Sequence, residues 1–196
     1  MKFSINIDDK DFERSKELYI KANKIKEVEL LNKINLVVDM LKETINLNYV
    51  SNTFNLYFNK EIAFIKEGDV LSGKNVSKRL CDCKKAYFFI VTLGVGVDRL
   101  INKFQYNDIV FSVLIDNISS IIIDIIAQKI QDKISDFYTI SERYSCGYGD
   151  YSISNQVNLC KLLFAEKIGV ILTTGGMLYP TKTISAVIGI KGEKNV

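Results

Sequence analysis

The residues best equipped for chemistry lie between Arg143 and Tyr151. There the run Arg-Tyr-Ser-Cys-Gly-Tyr-Gly-Asp-Tyr sets a guanidinium, three tyrosines, two glycines and a carboxylate within nine positions, with no apolar periodicity. Arg143 presents a planar, permanently charged fork that suits a carboxylate or a phosphate. Tyrosine faces stack on purine rings or attract cations. Gly147 and Gly149, on either side of Tyr148, permit positive φ or a close approach of backbone to a ligand. The same composition also fits an aromatic-rich turn in which Arg143 pairs with a nearby Asp or Glu.

A second polar feature interrupts the most apolar part of the chain. Asp116, Ser120, Asp124, Gln128 and Asp132 follow one another at i+4 spacing and so share one helix face. They line either a site or the solvated side of an amphipathic helix. Cys81, Cys83, Cys146 and Cys160 match no four-ligand zinc spacing, so no metal site is expected and reduced, at least partly buried thiols are. The chain has no histidine. That excludes imidazole acid–base chemistry, a Ser-His-Asp triad, and cobalt ligation through a histidine of this chain. Harder chemistry therefore needs a bound cofactor or a partner.

The elements that must carry these residues are legible from periodicity. Apolar positions from Asp11 to about Leu47 recur at helical spacing, as two amphipathic helices or one long one, ended by Asn46, Asn48 and Asn52. Phe54–Phe58 and Ile62–Ile65 read as strands, Asn75–Leu80 as a short helix, and Ala86–Val91 as a strand buried on both faces. A sharp turn at Leu93-Gly94-Val95-Gly96 follows. A long central helix is expected over Asp108–Phe137, then a polar connection through Glu142. A further helix, capped by Ser152 or Ser154, should turn Val157, Cys160, Leu163 and Phe164 inward and stop at Gly169. Val170–Leu172 and Ile184–Ile190 read as closing strands. The absence of regular βαβ alternation predicts an α+β fold: a mixed, largely antiparallel sheet packed with a long central helix, plus N-terminal helices.

Residues 1–196 are expected to form one domain, with 1–48 as its helical N-terminal segment, since Pro180 is the single proline and no linker or repeat stands out. A formal charge of +3 with scattered Lys and Arg gives no nucleic-acid footprint. No signal-peptide pattern and no uninterrupted run of about 18 apolar residues is seen, so no membrane association and a cytoplasmic location are expected.

Arg143-Tyr-Ser-Cys-Gly-Tyr-Gly-Asp-Tyr followed by Gln156 resembles the R-x-S-P-G-Y-G-D-W…Q signature of the activation (reactivation) domain superfamily of cobalamin-dependent methionine synthase. The downstream order is similar too: a helix, Ile168-Gly-Val-Ile-Leu-Thr173, then Met177-Leu-Tyr-Pro-Thr-Lys-Thr-Ile-Ser185 and a closing strand. The likeness spans roughly Ala86–Ile190. Cys146, Tyr151 and Ser152 depart from the usual Pro, Trp and Pro, which bears on loop rigidity and ligand affinity more than on fold. The resemblance implies a short stand-alone member that binds S-adenosylmethionine. It also implies a partner: a cobalamin-dependent methionine synthase lacking its own reactivation domain. There the chain would support reductive methylation of cob(II)alamin, with a flavodoxin-like protein as electron donor. By the same likeness, Arg143 holds the methionyl carboxylate and the Ser145 backbone hydrogen-bonds the ligand. Gly147 and Tyr148 lie beside it, and Asp124 meets its cationic end. No catalytic acid or base is implied. The alternatives are an accessory to another corrinoid methyltransferase and a non-catalytic ligand-binding or interaction module.

Overall fold

The computed structural model describes residues 3–194. Two N-terminal helices open the chain, α1 (Asp9–Asn23) and α2 (Val28–Thr44). A capping box starts α1: the Asp8 carboxylate accepts from Asp11 N–H at 3.2 Å and Asp8 N–H donates to the Asp11 carboxylate at 2.9 Å. Lys24, with φ of 53°, ends it. Asn46 lies in the connection that follows α2, whereas Asn48 and Asn52 belong to strand β1 (Asn48–Asn55). Phe54–Phe58 is divided at Leu56 between β1 and β2 (Tyr57–Asn59), which forms a hairpin with β3 (Ile62–Phe64). Helix α3 (Lys74–Leu80) and strand β4 (Lys85–Thr92) come next.

After Gly94 the chain enters α4 (Val95–Gln105), a helix that the sequence reading passed over as a glycine turn. Gly94 has φ of +83°, and a Cβ there would lie 2.9 Å from Asn46 O; one on Gly96 would lie 2.8 Å from Thr44 O. Glycine is needed because the start of α4 abuts the end of α2. The central helix α5 (Ile109–Ser135) is capped by the Asp108 carboxylate, which accepts from Val110 and Phe111 N–H. Beyond it, β5 (Tyr138–Ile140) occupies what reads in the sequence as a polar connection.

Helix α6 (Asn155–Leu163) buries Leu159, Cys160 and Leu163. Val157 and Phe164 point outward instead, 37% and 55% exposed. Phe164 caps the helix with φ of 55°, so α6 stops before a 3-10 turn at Ala165–Ile168 that leads to Gly169. Neither Ser152 nor Ser154 caps the helix through its side chain. Strands β6 (Ile171–Leu172) and β7 (Leu178–Tyr179) make a small hairpin outside the main sheet, so of the two expected closing strands only β8 (Thr183–Glu193) closes it.

The fold is α+β. The main sheet has the order β1-β4-β8-β5 with every pair antiparallel. Its inner strands alternate between two cores. Tyr87, Phe89 and Val91 of β4, with Ala186, Ile188 and Ile190 of β8, pack under α1, α2, α4 and α5. Ala86, Phe88 and Ile90, with Val187, face α3, α6 and the small hairpins. On this second face Gly189 leaves room for α3: a Cβ there would lie 2.3 Å from Cys83 Sγ and 2.8 Å from Leu80 Cδ2.

Helix α5 corrects one expectation. Its mean hydropathy reaches 2.1 over an 18-residue window, so by length and composition it could cross a membrane, although no uninterrupted apolar run exists. Half of that window is buried within the fold, where Ile115, Ile118, Ile122 and Ile126 pack into the core.

Candidate functional site

The Arg143–Tyr151 loop is fastened from three directions. Its first residues extend the sheet: Tyr144 and Val187 exchange two N–H···O bonds, each of 2.9 Å. Its far end is tied to α3, where the Asp150 carboxylate accepts from Lys74 N–H at 2.7 Å and Asn75 N–H at 3.0 Å. These bonds, that of Asn75 foremost, hold the Asp150 carboxyl below its ordinary pKa. Its base is anchored by Tyr151, which is buried, donates to Val70 O at 2.6 Å and stacks on Tyr144 at 5.9 Å between centroids. Burial pushes the Tyr151 hydroxyl far above its usual pKa and raises the Cys146 thiol to about 11.

Gly147 and Gly149 have φ of +94° and +57°. They close the turn, Gly147 donating to Tyr151 O at 2.7 Å. A Cβ on Gly149 would lie 2.5 Å from Asn75 Nδ2 and 2.9 Å from the Tyr144 hydroxyl.

Between this loop and α5 lies an open cleft of about 570 Å³, within the range of small-molecule sites. Of the residues singled out by sequence, Arg143, Ser145, Tyr148 and Asp124 line it. Gly147 does not; it turns the backbone that carries its neighbours. Tyr148 stands at the mouth, 66% exposed. The α5 stripe divides: Ser120 and Asp124 reach the cleft, whereas Gln128 and Asp132 bond to each other at 2.8 Å on the exposed face.

Arg143 is the pivotal group. Its Nη2 lies 3.4 Å from Asp124 Oδ1, a long contact to a carboxylate that is 67% exposed. Its Nη1 is buried and has no hydrogen-bond partner among the described residues. A buried, unpaired charged donor is unfavourable alone and well suited to an incoming acceptor. The expected pairing of Arg143 with a nearby acid is therefore half realised, through one nitrogen.

Three other lining residues, Lys182, Gln156 and Arg79, escape the sequence reading as site members. Lys182, 8% exposed, donates to Asp116 Oδ1 at 2.7 Å and to Ser120 Oγ at 2.8 Å. Gln156 is buried, donating to Gly176 O at 3.1 Å and accepting from Ser185 Oγ at 3.1 Å. Arg79 covers the Tyr144 ring at 4.6 Å and pairs with Glu142 at 3.0 Å. Polar residues one turn apart on an otherwise apolar helix were the signal available for Lys182, because Asp116 and Ser120 needed a partner. Gln156 was visible only through the motif.

Each cation here has a carboxylate beside it: Arg143 with Asp124, Lys182 with Asp116, Arg79 with Glu142. Such a balanced cleft favours a ligand carrying both signs over a polyanion. Among the described residues no group of three or more Cys, Asp or Glu is placed to hold a metal ion.

No protein-family model and no curated protein matches this chain. Among solved structures, it is similar in shape to the MetH reactivation domain bound to AdoHcy, with a TM-score of 0.65 and 15% identity over 87% of this chain and 69% of that one. That likeness is one of fold.

Proposed function

We propose that the cleft binds S-adenosylmethionine, and that the chain acts as a reactivation subunit supporting reductive methylation of cob(II)alamin on a partner cobalamin-dependent methionine synthase. The observation that carries the reading is Arg143 Nη1, buried and unpartnered at the wall of a cleft of ligand size. The residues present fit the ligand. Its amino-acid end is a zwitterion, and the loosely paired Arg143 and Asp124 offer the complementary charges: guanidinium for the carboxylate, Asp124 for the ammonium. The fold it shares with a domain bound to AdoHcy supports the same assignment.

When bound, S-adenosylmethionine supplies an electrophilic methyl on its sulfonium. The work left to this chain is to bind and orient. Arg143 fixes one end of the ligand, Lys182 and Gln156 keep the cleft wall rigid through their bonds to neighbouring elements, and Tyr148 covers the mouth. Methyl transfer from a sulfonium moves no proton, so a chain without histidine lacks nothing that the step requires.

Calorimetric titration of the intact chain with S-adenosylmethionine and S-adenosylhomocysteine tests binding, and Arg143→Ala should abolish it while the protein stays folded. Methylcobalamin formation by a cobalamin-carrying synthase plus reductant, with and without this chain, tests the role. Undiminished affinity in the variant would overturn the binding assignment; equal methylcobalamin yield would overturn the role. A second reading, a non-catalytic module of the same fold, has the Arg143–Asp124 contact in its favour, and the yield assay separates the two.

A further inference from the structure

The two edges of the main sheet are finished differently. At one, β5 is three residues long and its pairing with β8 is broken by a register shift between Thr139 and Ile140. At the other, β1 pairs with β4 over eight residues in unbroken register. Proteins ordinarily keep such edges apart with charged residues, proline or bulges. The β1 sequence Asn-Tyr-Val-Ser-Asn-Thr-Phe-Asn has none of these.

Strand alternation decides which backbone groups that edge presents. Val187 and Gly189 bond the chain on the far side of β8, so Ala186 and Ile188 face β4, where they meet Phe89 and Tyr87. Phe88 and Ile90 therefore face β1, opposite Asn52 and Val50. Tyr49, Ser51, Thr53 and Asn55 are left to point N–H and C=O outward, and among the described residues no backbone group bonds them from that side. Thr53 N–H donates to the Asn52 side chain at 2.8 Å, an exposed group that an incoming strand displaces. Thr53 Oγ1 is buried without a hydrogen-bond partner among the described residues. Beside the edge lies a groove of about 660 Å³, lined by Phe54, Leu162 and Phe164 together with Lys161, Glu67 and Asp69. None of these three charges has an ionic partner among the described residues.

We infer that a second copy of this chain covers the edge, its β1 pairing antiparallel with the first about a two-fold axis at Asn52. Outward-pointing residues must meet outward-pointing residues, and the register centred on Asn52 sets Ser51 opposite Thr53 of the other copy, and Tyr49 opposite Asn55. The Ser51 hydroxyl then gives Thr53 Oγ1 the partner it lacks. On the other face of the ribbon Val50 meets Phe54, and the two Asn52 amides meet each other. Self-complementarity selects a copy over a foreign strand. Because the groove holds Lys161 beside Glu67 and Asp69, a two-fold mate offers each charge its opposite. Phe164, 55% exposed, gains apolar cover. The joined sheet runs β5-β8-β4-β1-β1-β4-β8-β5, which leaves both clefts at β8 clear of the join, so the inference stands apart from the ligand reading.

Sedimentation velocity of the intact chain from about 1 to 100 μM should show a monomer–dimer equilibrium. Asn52→Lys changes a side chain exposed in the single copy and sets two ammoniums face to face across the axis. It should raise the dimer dissociation constant at least about tenfold, with an unchanged circular dichroism spectrum. Asn52→Cys, in a Cys81→Ser background that removes the exposed thiol, should cross-link to itself under oxidised glutathione. Facing residues that exchange no backbone bonds stand about 4.5 Å apart at Cα, within disulfide reach, and peptide mass spectrometry should find position 52 joined to position 52. A wild-type chain that stays monomeric throughout would overturn the inference, whether the edge is bare or taken by another protein's strand. So would a dimer that forms as tightly in Asn52→Lys, or an oxidised Asn52→Cys variant with no link at that position.

Discussion

Replacing Arg143 with methionine should make the ligand-free protein slightly more stable while removing its affinity for S-adenosylhomocysteine. Nη1 is buried without an acceptor among the described residues, and an unpaired buried donor costs about 1–3 kcal/mol. Against that stands the Nη2 contact to Asp124, 3.4 Å long and made to a carboxylate 67% exposed, and such a pair contributes about 0–1 kcal/mol. Methionine keeps the apolar stem and drops both terms. The expected net is a gain centred near 1.5 kcal/mol, or roughly 3–6 °C in Tm for a chain of this size. Urea unfolding monitored by circular dichroism, with m unchanged, measures it, and calorimetry on the same samples should show affinity reduced at least about 100-fold. A loss of 2 kcal/mol or more in the ligand-free variant would refute the reasoning, because it would mean that the guanidinium holds the fold together.

Other substitutions probe the scaffold. Gly189→Ala should destabilise by about 1–3 kcal/mol through overpacking, its Cβ falling 2.3 Å from Cys83 Sγ; an unchanged denaturation midpoint would show that α3 shifts freely. Gly149→Ala forces a side chain onto φ of +57°, costs about 1–2 kcal/mol and should weaken ligand binding as well, read by calorimetry. Asp150 has its pKa depressed below 3.8 in the fold, so its contribution is present above the unfolded value and lost as pH falls through the folded one. The stability gap between wild type and Asp150→Asn should therefore begin to shrink as pH falls below the unfolded value of about 3.9 and close only once it has passed the lower folded one; a gap that does not change with pH across that acid range would contradict the bonds to Lys74 and Asn75. Burial raises the Cys146 and Cys160 thiols to about 11 while Cys81 is exposed. Iodoacetamide at pH 8 should accordingly label Cys81 first, as peptide mass spectrometry would show.

Long, regular segments were legible in the sequence because their own patterns determine them. Ala86–Val91 is apolar without break and becomes the buried β4, and the isoleucine-rich run around residue 120 becomes α5. Elements set by neighbours were not. Helix α4 hides behind Gly94 and Gly96, whose reason for being glycine is the proximity of Asn46 and Thr44. Strand β5 is three residues long and owes its state to β8. For the site, the motif resemblance grouped Arg143, Ser145, Tyr148 and Asp124, and the fold sets these four on one cleft. Lys182 was hidden because a lysine reads as surface until the fold sets Asp116 and Ser120 against it. Gly147, expected beside the ligand, closes the turn that carries Ser145 and Tyr148 to the cleft wall.

Beyond the Tyr144–Val187 pair, the backbone of Thr183 and Ser185 in β8 has no partner on the side away from β4 among the described residues, and this bears on where self-assembly stops. An open strand margin ordinarily invites strands of other molecules to add on and seeds precipitation. Here the margin is sunk between α5 and the Ser145–Tyr151 loop, so a flat incoming chain meets two walls before it reaches a free N–H. Shortening that loop would uncover the margin, and the first symptom should be open-ended self-association rather than unfolding.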